Sequence, residues 1–319
     1  MNYHIKNVLF AFTACLLAVT SNITMANELD INDTSDTNLK IHFLGTGSPI
    51  PLTSRFGPSI LIQAGDQYLL FDGGRGAIQR IYSLGIPFPK IDKLFITHLH
   101  SDHTVGIPDI FLTSWVRGRK TPFEVWGPEG TTHLMNGIRS AFEYDIKIRI
   151  DQNDGSNIKI HDIDEGIIYD KDELQVIAFQ VDHGPVKPAF GYRINYKGKS
   201  VLLSGDTRYD ENLIKYAKDV DVIVHEVAST SDNMANAMPM TQKIVDIHTT
   251  PEEAGKIFAL INPKLAIYSH IVLFDVSDDE LVRKTNKNYQ GPLLVANDLM
   301  TVSINDNGYN IMQNNIYKD

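Results

Sequence analysis

The chain has 319 residues, 43% of them hydrophobic and 21% charged, which supplies the core of one large domain. Its formal net charge of −10 argues for a surface that repels polyphosphate backbones, since no basic patch is concentrated anywhere in the sequence. The only cysteine, Cys15, lies within the first 26 residues, so beyond them the chain has no disulfide, no thiolate ligand and no cysteine nucleophile.

In chain order, residues 1–26 read as a secretory signal. Lys6 gives the positive start, Val8 to Val19 is apolar but too short to span a bilayer, and Thr24-Met25-Ala26 offers a small-residue cleavage site. A lipoprotein reading at Cys15 is opposed by Leu16-Leu17-Ala18-Val19, which continues the apolar run past it. A periplasmic or secreted protein with no stable membrane span is therefore expected, and removal of Lys6 with no acid takes the net charge from −10 to −11. Residues 27–38 are polar and acidic and are expected to be a mobile leader. Residues 39–319 are expected to form the working domain.

From Leu39 the pattern predicts strands at Lys40–Phe43, Ile60–Ala64 and Tyr68–Phe71, a helix at Ala77–Leu84, and a buried strand at Leu94–Ile96. That strand delivers Thr97-His98-Leu99-His100-Ser101-Asp102-His103, three imidazoles and a carboxylate within six residues. Imidazole nitrogen and carboxylate oxygen at this density suit a divalent ion, zinc above all. His98 and His100, two apart, can close on one ion, while Asp102 and His103 point elsewhere and invite a second. Trp115, Arg117 and Arg119 follow and are expected near the pocket, where guanidinium suits an anionic ester.

The second half predicts strands at Leu174–Gln180, Phe190–Tyr196 and Val201–Ser204, with Tyr196-Lys197-Gly198-Lys199 as a hairpin turn. It continues with a helix at Asn212–Lys218, a strand at Val222–Val224, a helix at Pro251–Leu260 and a strand at Leu265–Tyr268. Residues 228–245 read as a long loop whose Met234, Met238 and Met240 are placed to act as an apolar lid. Hairpins are frequent, so two mixed sheets covered by helices fit better than one parallel sheet. Four more apolar strands end in polar groups: Asp182-His183, Asp206, His225-Glu226 and His270. Five such strand ends argue for convergence on one edge. His98, His100 and His183 on one ion, and Asp102, His103 and His270 on the other, with Asp206 bridging, make a two-metal hydrolytic site.

This order resembles the metallo-β-lactamase superfamily, which implies an αββα sandwich of two mixed β-sheets flanked by helices, with seven ligands carried over onto those residues. Within it, FLGTGSP (43–49), LLFDGG (69–74), HGPVKPAFGYRI (183–194), HE (225–226) and HTTPEEA (248–254) resemble the ribonuclease Z-like branch. The resemblance implies that Asp72 orients a ligand histidine and that His248, oriented by Glu226, protonates the leaving group. Asp102 can double as ligand and proton acceptor. The layout is closest to the exported zinc arylsulfatases of that branch, and three features oppose ribonuclease Z itself. These are the signal-like start, the acidic balance, and the short Asp-rich segment 150–172 where that family carries a basic RNA-gripping arm. The expected activity is thus hydrolysis of small anionic sulfate esters with two zinc ions, with no nucleic-acid partner expected and an oligomer left open. A ribonuclease Z-like phosphodiesterase is the alternative. A non-catalytic metal-binding protein is the other, and loss of a ligand would signal it, but none is missing.

Overall fold

The computed structural model describes residues 39–149 and 154–315, so residues 1–38, where a signal and a leader are expected, lie outside the described residues, as do 150–153 and 316–319. The first sheet is built from β1 (Leu39–Gly45), β2 (Ser59–Ala64), β3 (Gln67–Phe71), β4 (Lys93–Phe95), β5 (Phe123–Gly127) and β6 (Ile158–Asp162). The second holds β7 (Gly166–Lys171), β8 (Leu174–Gln180), β9 (Phe190–Tyr196), β10 (Lys199–Leu203), β11 (Val222–Thr230), β12 (Leu265–Phe274) and β13 (Leu293–Val295). The chain then returns to the first sheet as β14 (Met300–Asn305) and β15 (Gly308–Gln313). Strand order is β15-β14-β1-β2-β3-β4-β5-β6 in one sheet and β13-β12-β11-β10-β9-β8-β7 in the other. Both are mixed. β3 to β6 and β10 to β13 run parallel, and the remaining pairs are antiparallel.

The sheets face each other across Ile41, Phe43, Phe71, Phe95, Tyr192, Leu203, Val224 and Ile267, all buried. The outer face of the first sheet is covered by helices Ala77–Ser83, Ile107–Val116 and Thr131–Ala141 through Ile78, Ile81, Phe111 and Met135. That of the second is covered by Glu211–Tyr216, Pro251–Ile261 and Asp278–Thr285 through Leu213, Phe258 and Leu281. The result is the expected αββα sandwich. Central parallel strands are buried on both faces, which is why Val201-Leu202-Leu203 and Val222-Ile223-Val224 read as unbroken apolar runs. The hairpin turn joining β9 to β10 carries Lys197 at φ 46° and Gly198 at φ 77°, both left-handed, which matches the twist of the flanking strands.

Two strands outrun the sequence reading. β11 continues to Thr230 and β12 to Phe274. They pair in parallel, but His225 opposes Tyr268 and Val227 opposes Ile271. Ser269 and His270 therefore face Glu226 alone, a bulge that holds one extra residue on β12 and leaves His270 at φ 47°. Residues 228–245 are correspondingly no loop. They complete β11 and then form two short helices, Asp232–Ala237 and Pro239–Val245, which leave Met238 and Met240 exposed.

Candidate metal centre

Strand ends and the loops after them set the site at one edge of the sandwich. β4 leads into His98 and His100, and the single-turn helix Ser101–Thr104 carries Asp102 and His103. β3 ends at Asp72, which takes φ 58°, a conformation aspartate tolerates better than most residues. His183 follows β8, Asp206 follows β10, and His270 sits in the β12 bulge. The loops of the first sheet approach so closely that a Cβ on Gly106 would lie 2.3 Å from the Gly74 carbonyl oxygen; only glycine fits there.

All seven expected donors come together. His98 Nε2 and His183 Nε2 lie 2.9 and 3.4 Å from His100 Nδ1, and 3.7 and 3.8 Å from Asp206 Oδ2. On the other side, Asp206 Oδ2 is 3.3 Å from His103 Nε2 and 3.4 Å from His270 Nε2. Asp102 Oδ2 is 3.7 and 3.3 Å from the same two nitrogens. Donors bound tetrahedrally at the usual zinc–nitrogen length stand ~3.3 Å apart, close to this spread. One carboxylate oxygen of Asp206 thus belongs to both clusters. His103 Nε2 is buried with no hydrogen-bond partner, as a nitrogen meant for an ion would be. Four buried imidazoles and two carboxylates in contact are costly without a cation among them. The residues fit a pair of divalent ions.

The far sides of the rings are held. His103 Nδ1 donates to Asp72 Oδ2 at 2.7 Å, which leaves Nε2 as the lone-pair nitrogen. His183 Nδ1 donates to the Ile247 carbonyl at 2.9 Å. Thr97 joins two histidines to one carboxylate. Its amide donates to Asp72 Oδ1 at 2.8 Å, its hydroxyl to Asp72 Oδ2 at 2.9 Å, and that hydroxyl accepts from His98 Nδ1 at 3.0 Å. Burial lowers the pKa of His98, His100 and His183, so they stand neutral and ready to ligate. Burial works in the same sense on His103, but the Asp206 and Asp72 carboxylates outweigh it and raise that ring. Burial would raise Asp206, yet His270, His103 and His98 hold it well below the usual carboxylate range.

Beside the cluster, His248 Nδ1 meets Glu226 Oε1 at 3.0 Å, and its ring stands 5.0 Å from that of His183 and 5.6 Å from that of His270. The Thr207 and Thr249 amides each donate to the same Glu226 oxygen at 3.1 Å. Thr249 is fixed in turn by the helix start at Thr250-Pro251, where Thr250 and Glu253 form a capping box. Burial alone would lower His248, but the facing Glu226 carboxylate and its hydrogen bond lift it to about 9.

Two sequence readings fail here. Arg119 is fully buried, with its guanidinium on Ser114 Oγ, the Thr121 carbonyl and the Phe111 carbonyl, and holds a loop rather than an ester. Trp115 is 5% exposed and belongs to the core under the first sheet, on the same helical stripe as Phe111. Arg117 is exposed at the C-terminal cap of that helix. Conversely, Thr97, Thr207 and Thr249 carry contacts that no spacing rule announced, and the Ile247 carbonyl has no sequence signature at all.

The model of the Anti-Pycsar protein Apyc1 family matches residues 39–256, well over half of the chain. A ribonuclease Z of Mycolicibacterium gilvum is 35% identical over 243 residues, covering 73% of this chain and 84% of that protein. The chain belongs to the Apyc1 family and is a homologue of ribonuclease Z. Among solved structures, the metallo-β-lactamase fold protein YhfI of Bacillus subtilis superposes with a TM-score of 0.65 at 17% identity, over 83% of this chain and 99% of YhfI. The short form of human tRNase Z superposes with a TM-score of 0.63 at 23% identity, over 83% and 99%. This is a metal-binding hydrolase of the metallo-β-lactamase fold.

The relatives overturn the arylsulfatase assignment: the similarity that spans most of the chain leads to ribonuclease Z. They also overturn the expectation of no nucleic-acid partner. That expectation rested on a net charge summed over the whole surface, whereas two divalent ions would set the local field at the site itself.

Proposed function

We propose that this protein is a dinuclear-metal phosphodiesterase of the ribonuclease Z type, cleaving phosphodiester bonds of RNA. The observation that carries the reading is the His248–Glu226 pair beside a cluster in which one oxygen of Asp206 serves two sets of donors. His98, His100, His183 and Asp206 would hold one ion, and Asp102, His103, His270 and Asp206 the other. Two bound ions, zinc by the donor set, would supply Lewis-acid charge for an anionic, tetrahedral phosphoryl centre.

The chain's own residues do the rest. Asp72 and the Ile247 carbonyl fix the tautomers of His103 and His183, so the nitrogens turned inward are acceptors. Glu226 binds His248 at Nδ1 and stabilises its protonated form, which leaves a proton at Nε2 for the departing ribose oxygen. Thr207 and Thr249 keep the carboxylate in that orientation. Asp102, against His270 and inside the cluster, is the carboxylate placed to accept a proton from the attacking side.

The test is a substrate panel on the zinc-loaded protein: an RNA oligonucleotide with a 3′ extension, a 3′,5′-cyclic mononucleotide, bis-p-nitrophenyl phosphate and p-nitrophenyl sulfate. RNA cleavage that stops on chelation is the expected result. Hydrolysis of the cyclic mononucleotide with RNA untouched would keep the phosphodiesterase and remove RNA as substrate, and turnover of the sulfate alone would remove both.

A further inference from the structure

Beside the cluster, lined from both sheets, lies a partly open cavity of about 40 Å³. Asp206, Glu226, Ser269 and His270 are among the residues that line it. Three side-chain atoms of those residues are buried and have no hydrogen-bond partner: His270 Nδ1, Glu226 Oε2 and Asp206 Oδ1. The residues themselves are 6%, 2% and 3% exposed.

Their chemistry is complementary. With an ion held between His270 Nε2 and the Asp102 and Asp206 carboxylates, the ring proton would sit on Nδ1 and that nitrogen would be a donor. Glu226 gives Oε1 to His248, Thr207 and Thr249, so Oε2 is a free acceptor. Asp206 presents Oδ2 to four histidines, so Oδ1 is a second free acceptor. One donor and two acceptors on residues that line one small cavity are what a single water satisfies, and the space holds about one to three waters.

We propose that a water bound in this cavity accepts a hydrogen bond from His270 Nδ1 and donates to Glu226 Oε2 and Asp206 Oδ1. It ties the pair that holds the proton to the two residues shared with the metal clusters. Through it, the bulge residue His270 and the carboxylate Glu226 are positioned together, so Oε1 stays on His248 Nδ1. His270 would then be anchored on both ring nitrogens, as His103 is by Asp72 and His183 by Ile247. The catalytic consequence rests on the phosphodiesterase reading; the water site does not.

A crystal structure of the zinc-loaded protein at a resolution that shows ordered solvent tests the site directly. The expected result is a full-occupancy water at hydrogen-bonding distance from all three atoms, and a dry cavity, or a water touching none of the three, overturns it. Ser269→Val fills the cavity, whereas Ser269→Ala leaves it open and serves as the control. In Ser269→Val the water should disappear with both ions retained. Turnover of a diester with a poor leaving group should then fall roughly tenfold relative to bis-p-nitrophenyl phosphate, the usual scale for an outer hydrogen-bond partner. Loss of the water with that ratio unchanged would overturn the positioning role. A wild-type protein that hydrolyses no diester would sink the phosphodiesterase reading, while the electron density would still decide the water.

Discussion

The two sheets contribute to the centre in opposite ways. The first supplies four donors from one stretch, His98 to His103, stiffened by one glycine-packed loop and one carboxylate, Asp72. The second supplies its groups singly, from the ends or bulge of four strands, with His183, Asp206, Glu226 and His270 brought together only by strand order. His248 joins them from a helix start. The first half is therefore a binding loop whose chemistry is local. The second is an assembly whose chemistry exists only in the folded sheet, and it holds both the shared ligand and the proton-handling pair.

The comparison breaks most severely at Asp206, the one residue that serves both halves. Asp206→Ala should empty both metal positions and abolish turnover, read by elemental analysis against an expected two ions per chain; retention of one full ion would show that the clusters are independent. Next comes His248→Ala, which belongs to the second half alone. It should keep both ions and lower turnover roughly a hundredfold to ten-thousandfold, most for poor leaving groups and little for p-nitrophenolate. The protonated form of His248 is complete below its ordinary range and is lost as pH rises through about 9. The neighbouring ions would pull that value down, so the wild-type rate should decline on an alkaline limb at or below pH 9. That limb should vanish in His248→Ala.

Asp72→Asn strikes the first half, where His103 and Thr97 both lean on the carboxylate, and should weaken metal affinity about tenfold to a hundredfold without touching leaving-group dependence. The mildest change is Thr250→Ala, which removes the cap that fixes Thr249. It should cost about 1 kcal/mol in thermal unfolding and loosen Glu226 only slightly.

The same contrast explains what the sequence disclosed. The dense motif was legible because its donors are adjacent, and His183 and Asp206 because each follows an apolar run that must be a buried strand, whereas Asp72 came only through the family resemblance. His270 was placed at a strand end, yet the strand bulges there and continues, since Ile271 and Val272 remain buried after the extra residue. The loop expected at 228–245 failed for a related reason: β11 extends to Thr230 as the partner of that longer β12. Arg119 was misread as an ester-binding cation because a guanidinium can be buried when carbonyls and a hydroxyl take its donors, and Trp115 because its helical stripe was not followed. The pairing of Glu226 with His248 spans 22 residues and was visible only through family resemblance. The substrate was misjudged because composition reports the whole surface and catalysis uses one corner of it.

The central claim is that this corner hydrolyses phosphodiesters with bound metal. Turnover of bis-p-nitrophenyl phosphate and p-nitrophenyl sulfate by one zinc-loaded preparation, measured before and after chelation, tests it most directly. The diester should be hydrolysed far faster than the sulfate, and chelation should abolish that activity until zinc is restored; sulfate turnover exceeding diester turnover, or diester hydrolysis that survives chelation, would contradict it.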